Sequence, residues 1–373
     1  MTSHARTLQA FSRELTFCTY CPRLCRFACP VAEGEHRETV TPTMKMTLLH
    51  LISRGKLPLD RETGAAAFRC TGCGLHTTAC EHGIDIAPAL RLARELAAEA
   101  GATPEPLRAA AAAVDEVEAE LQGLAAQATP QALRTGRSAL IPGPYALRHD
   151  LRLIQHTWAV LGRITPEPPA LWPGPQELGS TLLAAGDRSA LQRQAVRVAR
   201  AAAGFSRLWV LDPEEAWLLR KVYPELGVEL LPEVRLPLEA LDRHLPEAWR
   251  GRGAPAATGD GPLVFHDPCH LGRHLGLYDA PRRILRGLTG EAPREPPWSR
   301  EQGWCCGGGQ GYATLTPEGA RRIAGQRATQ LLSTGARRVV TACPRCRDLL
   351  GAALQDQEVP VLDLLELVDP TWS

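Results

Sequence analysis

Apolar and polar positions along the chain follow different rhythms in different stretches. From Pro88 to Ala100 and from Leu107 to Ala126 the sequence is rich in Ala, Leu and Glu. These are strong helix formers with little turn chemistry, and they predict helices leading out of an N-terminal domain. From Ala139 onward short apolar runs alternate with amphipathic ones. Arg207-Leu-Trp-Val-Leu-Asp212 predicts a buried strand, and Pro213 to Tyr223 a helix with Asp212 as its cap and Pro213 in its first turn. Alternation of this kind is the signature of α/β units. The Gly-, Pro- and Ala-rich run from 251 to 262 breaks it and predicts a linker, with a second α/β unit beyond.

The second unit reads as a copy of the first. Pro344 in Val339-Val-Thr-Ala-Cys-Pro-Arg-Cys346 overlays Pro213 in Leu208-Trp-Val-Leu-Asp-Pro-Glu-Glu215, and Trp304 overlays Trp172. The Trp-to-Pro intervals agree, 41 residues in one and 40 in the other. Pro144-Tyr145 likewise matches Pro268-Cys269. An internal duplication follows as the expectation, with Tyr145, Pro173, Gly174, Asp212 and Glu215 standing in the first copy where the second has thiols.

Charge narrows the function. With 42 Lys and Arg against 41 Asp and Glu, the 373-residue chain has a formal charge of +1, so no overall field favours nucleic acid. Hydrophobic residues at 44% and charged residues at 22% are ordinary globular composition. No apolar run approaches the roughly 18 to 20 residues of a membrane span, and His4, Arg6, Arg13 and Glu14 interrupt any signal-peptide core. The expected location is the cytoplasm, with membrane association only through a partner. In that reducing compartment twelve cysteines point to metal binding or catalysis.

Those cysteines fall in three places, with none from 81 to 268. Cys18-x2-Cys21-x3-Cys25-x3-Cys29-Pro30 differs by one inserted residue from the bacterial ferredoxin run, in which three cysteines hold one cluster and the fourth reaches another. Cys70-x2-Cys73-x2-His76-x3-Cys80 repeats the run with His76 in the third position. Crossed ligation places one cluster on Cys18, Cys21, Cys25 and Cys80, and another on Cys29, Cys70 and Cys73, with His76 an open choice between ligand and neighbour. Zinc could use the same pairs of thiols.

Cys269, Cys305-Cys306-Gly307 and Cys343-x2-Cys346 form a third set. Neighbouring Cα atoms lie about 3.8 Å apart, too close for an ordinary disulfide, and consecutive ligands strain a single tetrahedral ion. A cluster of several irons accepts them on different atoms. Gly307-Gly-Gly309 and Gly311 let backbone amides approach anionic sulfur, while Cys343-Pro344 sits at a strand-to-helix turn that favours thiolate. His266, His270 and His274 flank Cys269, and their expected role is local hydrogen bonding.

On these residues, together with His266-Asp-Pro-Cys-His-Leu-Gly-Arg273 and Tyr278-Asp-Ala-Pro281, the sequence resembles the cysteine-rich CCG-domain iron–sulfur oxidoreductases. That family includes heterodisulfide reductase catalytic subunits and the iron–sulfur subunits of glycolate oxidase and anaerobic glycerol-3-phosphate dehydrogenase. The resemblance implies an α+β multidomain fold. It would comprise an α-helical ferredoxin-like domain with a helical extension (1–130), a degenerate α/β CCG-like copy without cysteine (138–250) and an α/β CCG domain (262–373). It further implies two ferredoxin-type [4Fe–4S] clusters and one further [4Fe–4S] or non-cubane centre on Cys269, Cys305, Cys306, Cys343 and Cys346. Departures are the extra residue before Cys25, His76, and the first copy's lack of ligands.

The expected function is electron relay between a partner flavoprotein and an acceptor, since Gly307-Gly-Gly-Gln-Gly311 lacks the spacing of a nucleotide fingerprint. The alternatives are a disulfide or persulfide reductase with a catalytic centre, and a zinc-stabilised interaction protein.

Overall fold

The computed structural model describes residues 7–22, 25–128, 136–245 and 261–371. Most of the expected linker, 251–260, lies outside them. The chain forms two compact units, each assembled from separate stretches. One comprises Met1–Ala113, Ser180–Leu191 and Trp304–Arg327, the other Val114–Gly179, Gln192–Gly303 and Ala328–Ser373.

The first unit is helical. Helix α1 (Ser12–Tyr20) packs on α2 (Pro42–Ser53), whose Met46, Leu49 and Ile52 recur at every third position and share a core with Leu8, Leu15, Ile84 and Ile86. Each such side chain contributes about 1.5–3 kcal/mol by leaving water. Helix α3 (Arg61–Phe68) begins at a capping box in which Asp60 accepts from Thr63 N–H and Thr63 Oγ1 accepts from Asp60 N–H. Helix α4 (Ala87–Glu99) lies against α3 and buries Ala89, Leu90, Ala93, Leu96 and Ala97. Cys18, Cys70 and Cys80 pack against this core, so the thiols sit on its margin. The segment expected as helical from Leu107 to Ala126 forms two helices, Glu105–Ala112 in this unit and Val114–Ala128, with which the second unit begins. The break at Ala113 falls inside a run of alanines, where hydrophobic pattern marks nothing.

The second unit holds two parallel sheets. Strands β1 (Ser138–Ile141), β2 (Ala170–Leu171), β3 (Arg207–Val210) and β4 (Glu233–Arg235) form a sheet of order β2-β1-β3-β4. Strands β5 (Leu263–Phe265), β6 (Arg338–Thr341) and β7 (Val361–Asp363) form the order β5-β6-β7, and Arg294 bridges in parallel to the free side of β5. Counting that bridge, the two sheets have the same order and the same strand direction. Their central strands, such as Leu208-Trp-Val210 and Val339-Val340, are buried on both faces, which is why they read as unbroken apolar runs.

At the carboxyl edges of the sheets the chain turns into short helices led by proline. These are α5 (Pro144–His149) after β1, α6 (Pro213–Trp217) after β3 and α7 (Pro344–Leu354) after β6. Asp212 caps α6, accepting from Glu214 N–H at 2.8 Å. The helix expected to run to Tyr223 relaxes into a wider π turn over Leu218–Val222.

Candidate metal centres

None of the twelve cysteines is in a disulfide. In the first unit, Cys18 lies on α1, Cys21 ends it in extended conformation, and Cys25 leads a short 3-10 turn. Cys80 follows the short helix Leu75–Thr78. All four line one pocket, walled by Phe17, Thr43 and Ile84. Burial pushes the Cys18 thiol up to about 12, and the neighbouring Cys25, Cys80 and Cys21 push the same way. Burial also raises Cys25, against the Thr43 hydroxyl 3.9 Å from its sulfur. Thiols that resist ionising, as Cys18 and Cys25 do, are what a multivalent cation or iron–sulfur group relieves.

Cys29, Cys70 and Cys73 meet in a second place. Burial raises the Cys29 thiol to about 11; Cys70 and Cys73 add to the rise, and Lys45 opposes it. The loop Cys70–Gly74 is shaped by two left-handed glycines, Gly72 at φ +64° and Gly74 at φ +70°. Buried Arg94 holds it, donating to Cys70 O at 2.9 Å, to Ala67 O at 3.0 Å and to Gln310 Oε1 at 3.3 Å. His76 is buried nearby. Its Nε2 accepts from the Ile86 N–H at 3.2 Å and lies 3.1 Å from Thr77 Oγ1 and 3.3 Å from Asp85 Oδ1, so that nitrogen is engaged within the protein, and a metal bond at the ring would fall to Nδ1 once it carries no proton.

Cys305 and Cys306 open the stretch Trp304–Arg327 that folds within the first unit. Gly307, at φ +94°, donates its N–H to Cys305 Sγ at 3.3 Å, and a Cβ there would stand 2.9 Å from Ala320 O. Amides also reach Cys70 Sγ from Gly72 and Cys80 Sγ from Ile84, both at 3.4 Å. Thiolate donors, amide-to-sulfur hydrogen bonds and buried surroundings fit iron–sulfur groups.

In the second unit Cys269 follows β5, while Cys343 caps α7 and Cys346 lies in its first turn; all three are buried. Strands β5 and β6 are adjacent and parallel, which puts all three at one carboxyl edge, where open α/β sheets bind ligands. A ring nitrogen of His266 lies within 4.8 Å of Cys346 Sγ. His270 Nδ1 is 3.8 Å from Cys269 Sγ, and burial, with His274, Arg345 and Arg273, depresses its basicity well below the ordinary range. Asp267 pairs with Arg282 at 2.8 and 3.0 Å and accepts from Arg300 N–H, while Arg273 donates to Glu301 O and Gly303 O. These bonds fix the loop after β5.

Comparison with known proteins agrees with this chemistry. Residues 263–350 match the model of the cysteine-rich domain CCG. The chain carries a CCG domain. Over 166 residues, 43% of this chain, it is 32% identical to the "Probable iron-sulfur-binding oxidoreductase FadF" of Bacillus subtilis (strain 168). It is 31% identical over 176 residues, 44% of the chain, to "EtfAB:quinone oxidoreductase" of Syntrophomonas wolfei. Over 108 residues, 28% of the chain, it is 37% identical to one subunit of the dihydromethanophenazine:CoB--CoM heterodisulfide reductase of Methanosarcina barkeri. The matches span 23%, 24% and 26% of those relatives, about a quarter of each. These relatives are named for iron–sulfur binding or for oxidoreductase or reductase activity. Among the described residues no helix is long and apolar enough to cross a membrane.

Several site features carried no sequence signal. The closeness of His266 to Cys346 was hidden in a histidine pattern read as local hydrogen bonding. Arg94 and Glu35 belong to no motif at all, and Gln310 was passed over inside the glycine-rich stretch Gly307-Gly-Gly-Gln-Gly311.

Proposed function

We propose that the chain is an iron–sulfur oxidoreductase subunit that relays electrons between a partner flavoprotein and an acceptor. One observation carries the reading: Cys80, from the second cysteine run, lines the same pocket as Cys18, Cys21 and Cys25 from the first. Such interleaving is what two neighbouring ferredoxin-type clusters require. The four thiols take one [4Fe–4S] cluster. Cys29, Cys70 and Cys73 take a second, with His76 Nδ1 as the candidate fourth ligand. Cys269, Cys305, Cys306, Cys343 and Cys346 take the CCG centre. The clusters supply the one-electron chemistry; the chain's residues set potential, spacing and access.

The domain scheme of 1–130, 138–250 and 262–373 accompanies this proposal, with the middle segment a ligandless copy of the last. The shared strand order of the two sheets supports the duplication. A chain with one CCG centre lacks the second that a paired-cluster disulfide mechanism would use, which favours relay over disulfide reduction. Relatives named for redox pairs support a redox partner, and twelve uncombined thiols suit the reducing cytoplasm.

Metal analysis of anaerobically purified protein tests the reading. About eight to twelve irons per chain with matching acid-labile sulfide are expected, and a reduced flavoprotein should bleach them. Zinc without sulfide would install the interaction-protein alternative; turnover of a disulfide or persulfide by the isolated chain would install the reductase.

A further inference from the structure

Arg345 follows Cys343 by two residues and precedes Cys346 by one, in the first turn of α7. Its guanidinium lies 3.6 Å from Glu214 and 3.9 Å from Asp212, residues that follow β3 in the other sheet of the same unit. It also lies 4.9 Å from the centre of the Tyr145 ring, and Tyr145 donates to Asp348 of α7 at 2.5 Å. The arginine side chain is only 20% exposed, and Asp212 and Glu215 are wholly buried.

These partners occupy particular positions. With Pro213 laid over Pro344, Asp212 falls where Cys343 stands, Glu214 where Arg345 stands and Glu215 where Cys346 stands; Tyr145 matches Cys269. The first α/β segment therefore has carboxylates at thiol positions. Buried carboxylates require a counter-charge, and the second segment supplies one from between its own thiols. At 3.6 and 3.9 Å the contacts exceed hydrogen-bond length. They are charge contacts, spread over more than one carboxylate. A bridge that merely joined two sheets could lie anywhere along them. This one is a residue away from a thiol, where a fixed charge acts strongly on a neighbouring anionic centre.

We infer that Arg345 and the carboxylates facing it set the reduction potential of the CCG centre, so that the ligandless segment serves as its electrostatic regulator. The inference rests on the reading of Cys343 and Cys346 as cluster ligands. A fixed cation stabilises the reduced, more negative form of an iron–sulfur centre and raises its potential, and a fixed anion does the reverse. Arg345, Asp212 and Glu214 are positioning residues, acting through charge alone.

Redox titration of the cluster-loaded full chain, followed by electron paramagnetic resonance and paired with iron analysis, tests it. Arg345→Gln should shift the CCG signal to lower potential and Arg345→Lys should restore it. Asp212→Asn and Glu214→Gln should shift it higher, all with wild-type iron content. Unchanged potentials in iron-replete Arg345→Gln and Asp212→Asn would overturn the inference and leave the cluster assignment standing. If Arg345→Gln fails to fold, Asp212→Asn decides alone, since it removes a charge at constant size: a rise supports the inference and no change overturns it. Iron content unaffected by Cys343→Ala and by Cys346→Ala would instead overturn the reading beneath it.

Discussion

Tyr312 donates its phenolic hydrogen to Glu35 at 2.9 Å across 277 residues of sequence. The same carboxylate pairs with Arg69 at 2.9 Å. Glu35 ends the helix that starts beside Cys29, Arg69 precedes Cys70, and Tyr312 follows Cys305 and Cys306. Side-chain contacts to one carboxylate thus join three cysteine-bearing segments within the first unit. Burial and the Glu35 charge both raise the Tyr312 hydroxyl above its ordinary range, which keeps it a donor.

Tyr312→Phe removes that donor from a buried site. Because the acceptor is charged, the loss should be about 2 kcal/mol, read as a lower denaturant midpoint. Glu35 retains Arg69, so Glu35→Gln, which weakens both bonds, should cost more. Equal midpoints for Tyr312→Phe and wild type would show that the contact contributes nothing.

Gly72→Ala tests the loop that carries Cys70 and Cys73. A Cβ at this position, φ +64°, would stand 2.4 Å from Gln310 Cδ. The left-handed backbone alone costs about 1–2 kcal/mol for alanine. Gly72→Ala should therefore lower stability and the iron held with Cys29. Adding Gln310→Ala should recover part of both, relieving the clash and leaving the backbone strain. A Gly72→Ala protein with full iron and an unchanged midpoint would remove this account.

How much of this was legible depends on range. Cysteine spacing is local, so the runs at 18–29 and 70–80 and the Cys305-Cys306 pair could be read directly, as could β3 at Arg207–Val210. The π turn over Leu218–Val222 was not legible, because Leu218, Leu219 and Val222 are all buried and an apolar run reads alike in either helix. Nor was the Glu35–Tyr312 bond, since neither residue has a neighbour that marks it. Such contacts exist only once the topology has brought distant segments together. The carboxylates at Asp212 and Glu215 read as lost ligands; the meeting of Asp212 with Arg345 required the fold.

His76 should matter even without metal. Its Nε2 accepts the buried Ile86 N–H, so His76→Ala should lower the stability of the chelated protein by about 1–3 kcal/mol, the cost of a buried unmet donor. If Nδ1 binds iron, His76→Cys should also keep the second cluster and lower its potential, because thiolate donates more charge than imidazole. A potential that stays put in cluster-loaded His76→Cys would assign the residue to structure alone.

Asp363 gives the fold a pH dependence. It is buried, caps the turn at Leu364 by accepting from Leu365 N–H at 3.0 Å, and burial raises its carboxyl from 3.8 to about 7. The folded state therefore binds this proton more tightly than the unfolded state. Stability from this group is complete below about pH 4 and declines as pH rises through 7. Asn keeps the cap without the charge, so Asp363→Asn should raise the denaturant midpoint at about pH 8 and change it little at about pH 4. A midpoint lowered at the higher pH would mean that the carboxylate is stabilised by its neighbours after all.

The interleaving of the two cysteine runs can be decided by additivity. Cys80 lines a pocket with Cys18, Cys21 and Cys25, although it belongs by sequence to the run of Cys70 and Cys73. If Cys25 and Cys80 serve the same cluster, Cys25→Ala and Cys80→Ala should each lose about four irons. The double variant should then lose no more than either, because a cluster can be lost only once. Cys73→Ala should add its own loss to that of Cys80→Ala. Should Cys80 instead serve its own run, the pattern reverses: Cys25 and Cys80 losses would add, and Cys73 and Cys80 losses would coincide. Iron and sulfide counts on these variants distinguish the two arrangements without any knowledge of the partner or substrate, and the pocket geometry predicts the first.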